Sequence, residues 1–142
     1  MPSVSRVHYP VTALGPGRRL GVWFQGCPLG CPGCVARDTW DFDGGRAVTV
    51  AELTGLWADA LADGAQGLTV SGGEPLAQAA QLAEFLAAAD RLRQAAAPGP
   101  RADFLVYTGY EPDETVANWP IVGAVPFSPA AGMELAETAV TR

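Results

Sequence analysis

An α/β fold built from parallel strand–helix–strand units is what the sequence predicts, and three observations carry that reading. Three short apolar runs, Arg19–Gln25, Gly67–Ser71 and Ala102–Tyr107, are each bounded by glycine or proline. The two longer stretches between them repeat apolar residues at helical spacing. Glycine-rich turns follow the runs, at Gly26, at Gly72-Gly73 and at Gly109. Short β-branched or apolar runs alternating with amphipathic helices build parallel sheets.

Each element has a local cause. Gly15-Pro16-Gly17 is a turn cluster, and the run behind it reads as the first buried strand. Arg37 to Gly45 is polar and ends in glycine, which predicts a loop. Thr49-Val50-Ala51-Glu52 has the spacing of a capping box. Behind it Val50, Leu53, Trp57, Ala60 and Leu61 share one helical face, and Gly64 supplies a stop. Gly67–Ser71 is the second strand. From Leu76 to Ala97 a second amphipathic helix is marked by Leu82, Phe85, Leu86, Ala89 and Leu92, and Pro98-Gly99-Pro100 closes it. Ala102–Tyr107 is the third strand. A short helix is expected around Asp113–Asn118, and Ile121–Phe127 reads as a fourth, edge strand because it contains Pro126. Beyond Ser128 the sequence reads as a polar tail. Trp23, Trp57 and Trp119 are expected in the core, whereas Trp40 lies in a polar loop.

Composition narrows the class. The 142 residues are 49% hydrophobic, enough for one domain with a core, here 1–142 with its main body at about 6–110 and a diverged or truncated part at 111–142. The net charge is −6 with nine Lys and Arg, which argues against nucleic acid and anionic membranes as partners. Neither a signal peptide nor a run of the ~20 apolar residues that cross a bilayer is apparent. An odd set of three cysteines argues against a disulfide framework, so a reducing, cytoplasmic setting is expected.

Those cysteines, Cys27, Cys31 and Cys34, fall within eight residues as C-x3-C-x2-C, with Pro28, Gly30, Pro32 and Gly33 turning the chain between them. Such a loop can aim three thiolates at one point, and soft sulfur ligands suit iron–sulfur clusters or zinc. Zinc wants a fourth ligand, for which His8, the only histidine, is the candidate. In a parallel sheet the cysteine loop, Gly72-Gly73-Glu74 and Thr108-Gly109-Tyr110 all leave the C-terminal ends of strands, the edge at which ligands of such folds bind. Glu74 also has a purely structural reading, as a carboxylate at a helix N-terminus.

With C-x3-C-x2-C after the first strand and Gly72-Gly73-Glu74-Pro75 after the second, the chain resembles the radical S-adenosylmethionine enzymes. Gly15-Pro16-Gly17, Phe24-Gln25-Gly26-Cys27 and Arg37-Asp38-Thr39-Trp40-Asp41 with Gly44-Gly45 narrow the likeness to activating enzymes of glycyl radical proteins, over about Arg6 to Tyr110. The resemblance implies a partial, open (βα) barrel, shortened here to about three or four parallel strands. It implies that Cys27, Cys31 and Cys34 hold three irons of a [4Fe-4S] cluster whose fourth iron chelates S-adenosylmethionine. Gly72 and Gly73 would present backbone to the methionine amino group, with Glu74 in support. Gly33 and Val35 would lie beside the adenine, and Tyr107 and Thr108 would contact the cofactor from the third strand.

Three departures stand out: Gly33 replaces an aromatic residue of many relatives, Val35-Ala36 replaces a His-Asn pair, and the C-terminal part is short. The implied reaction is reductive cleavage of S-adenosylmethionine to a 5′-deoxyadenosyl radical that abstracts hydrogen, from a protein or peptide glycine or from a small molecule. An electron donor of flavodoxin or ferredoxin type is implied as a partner. A short open sheet leads us to expect self-association or a partner subunit. The rival expectation is a non-catalytic cluster- or zinc-binding accessory module acting through a partner.

Overall fold

The computed structural model describes residues 1–27, 37–96, 102–108 and 133–137, of which 37, 108 and 133–137 are described for backbone alone. Its strands are β1 (Ser3–Val11), β2 (Arg19–Phe24), β3 (Arg46–Ala47), β4 (Gly67–Gly72), β5 (Asp103–Thr108) and β6 (Met133–Glu137). Two α-helices, α1 (Val50–Ala62) and α2 (Ala79–Ala95), stand among the described residues. The strands form one sheet in the order β3-β1-β2-β4-β5-β6. β2, β4, β5 and β6 run parallel, while β1 is antiparallel to both β2 and β3.

The three expected strands and both helices stand where the sequence puts them, within one or two residues at most ends. The second helix is shorter than expected, because Pro75–Gln78 forms a separate 3-10 turn before α2 begins. The capping box is made in full: the Thr49 hydroxyl accepts from the Glu52 amide at 3.0 Å, and the Glu52 carboxylate accepts from the Thr49 amide at 2.8 Å. Just past α1, Gly64 takes φ +92°, a left-handed turn that glycine adopts at no steric cost.

Three corrections concern strands. β1 was not expected, because a register shift between Val4 and Arg6 and the late Pro10 blur its period-2 pattern. Its alternation is nevertheless visible in burial, with Val7 and Tyr9 half-buried and Arg6, His8 and Pro10 exposed. β3 has only two residues, both exposed, so it carries no apolar signal. The tail expected to be polar contains β6, paired parallel with β5 from Phe104–Met133 to Thr108–Glu137. The fourth strand expected at Ile121–Phe127 and the helix at Asp113–Asn118 lie outside the described residues, as does Trp119.

Alternate residues of the parallel strands divide the sheet into two faces. Leu20, Val22, Phe24, Leu68, Val70, Phe104 and Val106 are buried in one cluster with Leu53, Trp57 and Ala60 of α1 and Leu82, Phe85, Leu86 and Ala89 of α2. Both helices therefore cover the same face, and each large side chain buried there contributes about 2 kcal/mol. Trp57 fills the centre, its ring edge-on to Phe104 at 5.8 Å and its Nε1–H donating to the Ala89 carbonyl at 3.1 Å. No helix among the described residues is long and apolar enough to cross a membrane.

The other face is closed at its lower end by an ion pair. Arg19, 0% exposed, donates from Nε to the Thr69 hydroxyl at 2.7 Å and from Nη1 to the Asp103 carboxylate at 2.7 Å. It also donates to the carbonyls of Pro16 and Leu68, at 3.0 and 3.1 Å. One guanidinium thus ties β2, β4 and β5 to the Gly15-Pro16-Gly17 turn. At the outer corner the Tyr9 hydroxyl donates to Asp63 at 2.9 Å; its packing and that carboxylate raise the phenol above the usual 10.0.

Because Arg19 is fully enclosed while the Asp103 side chain is 34% exposed, losing the carboxylate strands a buried charge. Asp103→Ala should cost about 2–3 kcal/mol, and Arg19→Met with Asp103→Leu together should recover much of that loss. Denaturation midpoints compared at matched cluster content test both statements.

Candidate functional site

Parallel register brings the expected loops to one edge. Phe24 pairs with Gly72, so Gln25-Gly26-Cys27 and Gly73-Glu74 leave the sheet side by side. β5 continues the same register from Gly67–Asp103 to Val70–Val106, which brings Tyr107 and Thr108 to that edge as well. Tyr107 is half-buried, and Thr108 is the last residue of its strand.

The two glycine-bearing loops touch backbone to backbone. The Gly73 amide donates to the Phe24 carbonyl and the Glu74 amide to the Gly26 carbonyl, both at 2.9 Å. A β-carbon on Gly72 would run into the Phe24 backbone, and one on Gly73 into the carbonyl oxygens of Gly26 and Thr39. Gly72 also sits at φ +114° and Gly26 at φ +104°, both in the region that favours glycine. The sequence suggests Gly72 and Gly73 as room for a ligand. The structure shows that both are already required for one loop to lie on the other.

The cysteine loop is tied at both ends. The Gly26 amide donates to the Thr39 carbonyl at 2.6 Å and the Cys27 amide to the Trp40 carbonyl at 3.1 Å. Trp40 thus anchors the loop through its backbone. Cys27 is half-buried at this edge, while Cys31, Cys34, Gly33 and Val35 lie outside the described residues. Glu74 is 1% exposed, and its carboxylate accepts from the Leu76 amide at 2.7 Å, capping the Pro75–Gln78 turn. That is the structural role foreseen for it.

His8 pairs with Gly21, three residues down β2 from Phe24 and therefore about 10 Å below the edge that carries Cys27. That position separates the proposed fourth zinc ligand from Cys27. Cys27, half-buried beside the Gly72-Gly73 backbone with His8 well below it, fits a thiolate ligand of an iron–sulfur cluster.

Sequence reasoning missed two members of this site, Gln25 and Gln78, whose side-chain amides bridge its segments. The available signal was their position: each is a polar residue directly beside an expected loop, in otherwise apolar or alanine-rich surroundings.

Residues 13–126 match the 4Fe-4S single cluster domain family. The anaerobic ribonucleoside-triphosphate reductase-activating protein of Salmonella typhimurium is 37% identical over 111 residues, spanning 75% of this chain and 69% of the relative. The protein of the same name from Escherichia coli K12 gives the same figures, 37% over 111 residues. Pyruvate formate-lyase 1-activating enzyme of Escherichia coli K12 is 42% identical over 71 residues, 48% of this chain and 29% of that enzyme. Among solved structures, QueE from Escherichia coli superposes with a TM-score of 0.53 at 20% identity, over 76% of this chain and 52% of QueE, which speaks for the fold alone. With the family matched over most of its length and the thiolate and glycine loops meeting at one sheet edge, this chain belongs to the radical S-adenosylmethionine enzymes of the 4Fe-4S single cluster domain family, with a [4Fe-4S] cluster and S-adenosylmethionine as cofactors.

Proposed function

We propose that the chain is an activating enzyme that cleaves S-adenosylmethionine reductively and abstracts hydrogen from a glycine of a protein partner. The observation that carries this reading is the mutual docking of the Cys27 and Gly72–Glu74 loops at the C-terminal edge of a parallel sheet. Curated relatives with this sequence pattern are activating proteins of a ribonucleotide reductase and of pyruvate formate-lyase, which supports the choice of a protein substrate. The four parallel strands, with both helices on one face, are read as an open barrel whose other face receives the partner's segment.

In this reading Cys27, Cys31 and Cys34 hold the cluster and leave one iron for the cofactor. Gly72 and Gly73 offer backbone to the methionine end, and Glu74 keeps that loop in place by capping the turn behind it. Gly33 and Val35 border the adenine, and Tyr107 and Thr108 close the site from β5. When bound, the cofactor pair supplies one-electron cleavage of the C5′–S bond, yielding methionine and a hydrogen-abstracting 5′-deoxyadenosyl group. The electron comes from a donor of flavodoxin or ferredoxin type. The protein's own work is to orient these groups and to exclude competing reactions.

Anaerobic reconstitution should load about four irons per chain, and reductant with S-adenosylmethionine should then release 5′-deoxyadenosine. Cys27→Ala should bring both to background. A loaded protein that releases none, even with partner and a strong reductant, would instead favour a non-catalytic accessory module.

Gly73→Ala separates two roles of the glycine loop. Because the new methyl would meet the Gly26 and Thr39 carbonyls, iron content after reconstitution should fall together with cofactor affinity. Full iron content with weakened cofactor binding would mean that the glycine serves ligand approach alone.

A further inference from the structure

We propose that Gln25 and Gln78 are positioning residues that lock the cysteine loop and the Gly72–Glu74 loop into one register. The proposal rests on the function read above, since its purpose is to keep thiolate and glycine backbone facing the same bound molecule. Gln25 is polar yet only 2% exposed, at the point where β2 gives way to the loop. Its Nε2 donates to the carbonyls of Asp38 at 3.1 Å and Asp41 at 2.6 Å, which holds the limb by which the chain returns from the cysteines. Its own carbonyl accepts from Gln78 Nε2 at 3.0 Å.

Gln78 closes the turn that Glu74 caps. Its Oε1 accepts from the Ser3 amide at 2.8 Å, and its Nε2 donates to the Ser3 carbonyl at 3.0 Å. The Gln25 amide in turn donates to the same Ser3 carbonyl at 2.9 Å. Two side chains therefore join the start of β1, the entry to the cysteine loop, its return limb and the turn behind the glycine loop. A side-chain amide suits this position because it donates and accepts at once without carrying charge.

Room for Gln25 is built into the sequence. A β-carbon on Gly45 would meet the Gln25 side-chain carbons, and one on Gly44 would come within 2.8 Å of its Nε2. The Gly44-Gly45 pair is thus the surface on which this side chain lies. An apolar residue of similar size at position 25 removes the side-chain donor to the Asp38 and Asp41 carbonyls. One at position 78 removes the side-chain donor to the Ser3 and Gln25 carbonyls and the acceptor of the Ser3 amide.

The test compares Gln78→Leu and Gln25→Met with Thr49→Ala, which weakens α1 at its cap but touches none of these segments. Amide hydrogen exchange, measured with or without cofactors, should accelerate about tenfold at Gly26, Cys27, Gly73 and Glu74 in the glutamine variants. Iron content should stay at the wild-type level. The concentration of S-adenosylmethionine needed to perturb the reduced cluster's paramagnetic signal should rise about tenfold. Thr49→Ala should change neither reading. Wild-type exchange and wild-type cofactor dependence in both glutamine variants would overturn the proposal, as would acceleration spread evenly through α1 and α2. Should Gln78→Leu fail to fold, Gln25→Met, which removes only the two bonds to the return limb, carries the same test. If the wild-type protein takes up no cluster, the functional reading falls, and the exchange measurement still decides the clamp.

Discussion

Backbone-to-backbone contact between the Gly72-Gly73 turn and the Phe24–Gly26 strand end is the constraint on which the rest of the site depends. It is made where β-carbons do not fit, so the two loops lie closer than side chains would allow. Parallel pairing of β2 and β4 sets this up, because Phe24 and Gly72 are register partners and the loops begin level with each other. Had the strands been antiparallel, the two loops would leave opposite ends of the sheet. The site is thus a consequence of topology first and of side chains second.

Rigidity beneath the edge comes from two separate sources on the two faces of the sheet. On the helical face the Trp57–Phe104 contact and the leucine and phenylalanine side chains of α2 fix the spacing of the strands. On the opposite face the lower end is filled by Arg19, whose hydrogen bonds tie its own strand to two others and a turn. Closer to the edge, Trp23, Ser71 and Tyr107 are only half-buried. That face is therefore sealed at the bottom and accessible near the loops, a gradient that suits a site entered from the C-terminal end. A buried ion pair is weak evidence for stability as such, but here the same guanidinium also ties the Gly15-Pro16-Gly17 turn, which is not part of the apolar cluster, to the strands.

Much of this was legible in the sequence, and what escaped did so for physical reasons. The capping box at Thr49, the glycine after α1 and the apolar stripes of both helices are local signals, and each predicts its element within a few residues. β2, β4 and β5 announce themselves because strands buried on a helical face need continuous apolar and β-branched residues. β1 and β3 do not, since one is interrupted by a register shift and the other has two exposed residues. β6 pairs through its backbone, which leaves little trace in side-chain pattern. In the site, the motif residues were readable by type and spacing, but the reason for Gly72 and Gly73 was not. Spacing shows that a side chain is missing and does not show whether a ligand or the chain itself takes its place.

The same distinction governs the edges of the sheet. A sheet of three or four parallel strands would leave unpaired backbone on both sides of the core, which is why self-association or a partner subunit was expected. The observed sheet has β1 beside β2 at one side and β6 beside β5 at the other, so the strands that carry the site are interior. Beyond Ser3 and Val4, which pair with β3, the outer side of β1 runs through Arg6, His8 and Pro10, and charge and proline are residues that discourage strand addition. Edge pairing therefore gives no reason for a second chain at β1. A partner contact is better argued from the loops at the C-terminal edge, where Cys27, the glycine backbone and the half-buried Tyr107 leave the sheet side by side.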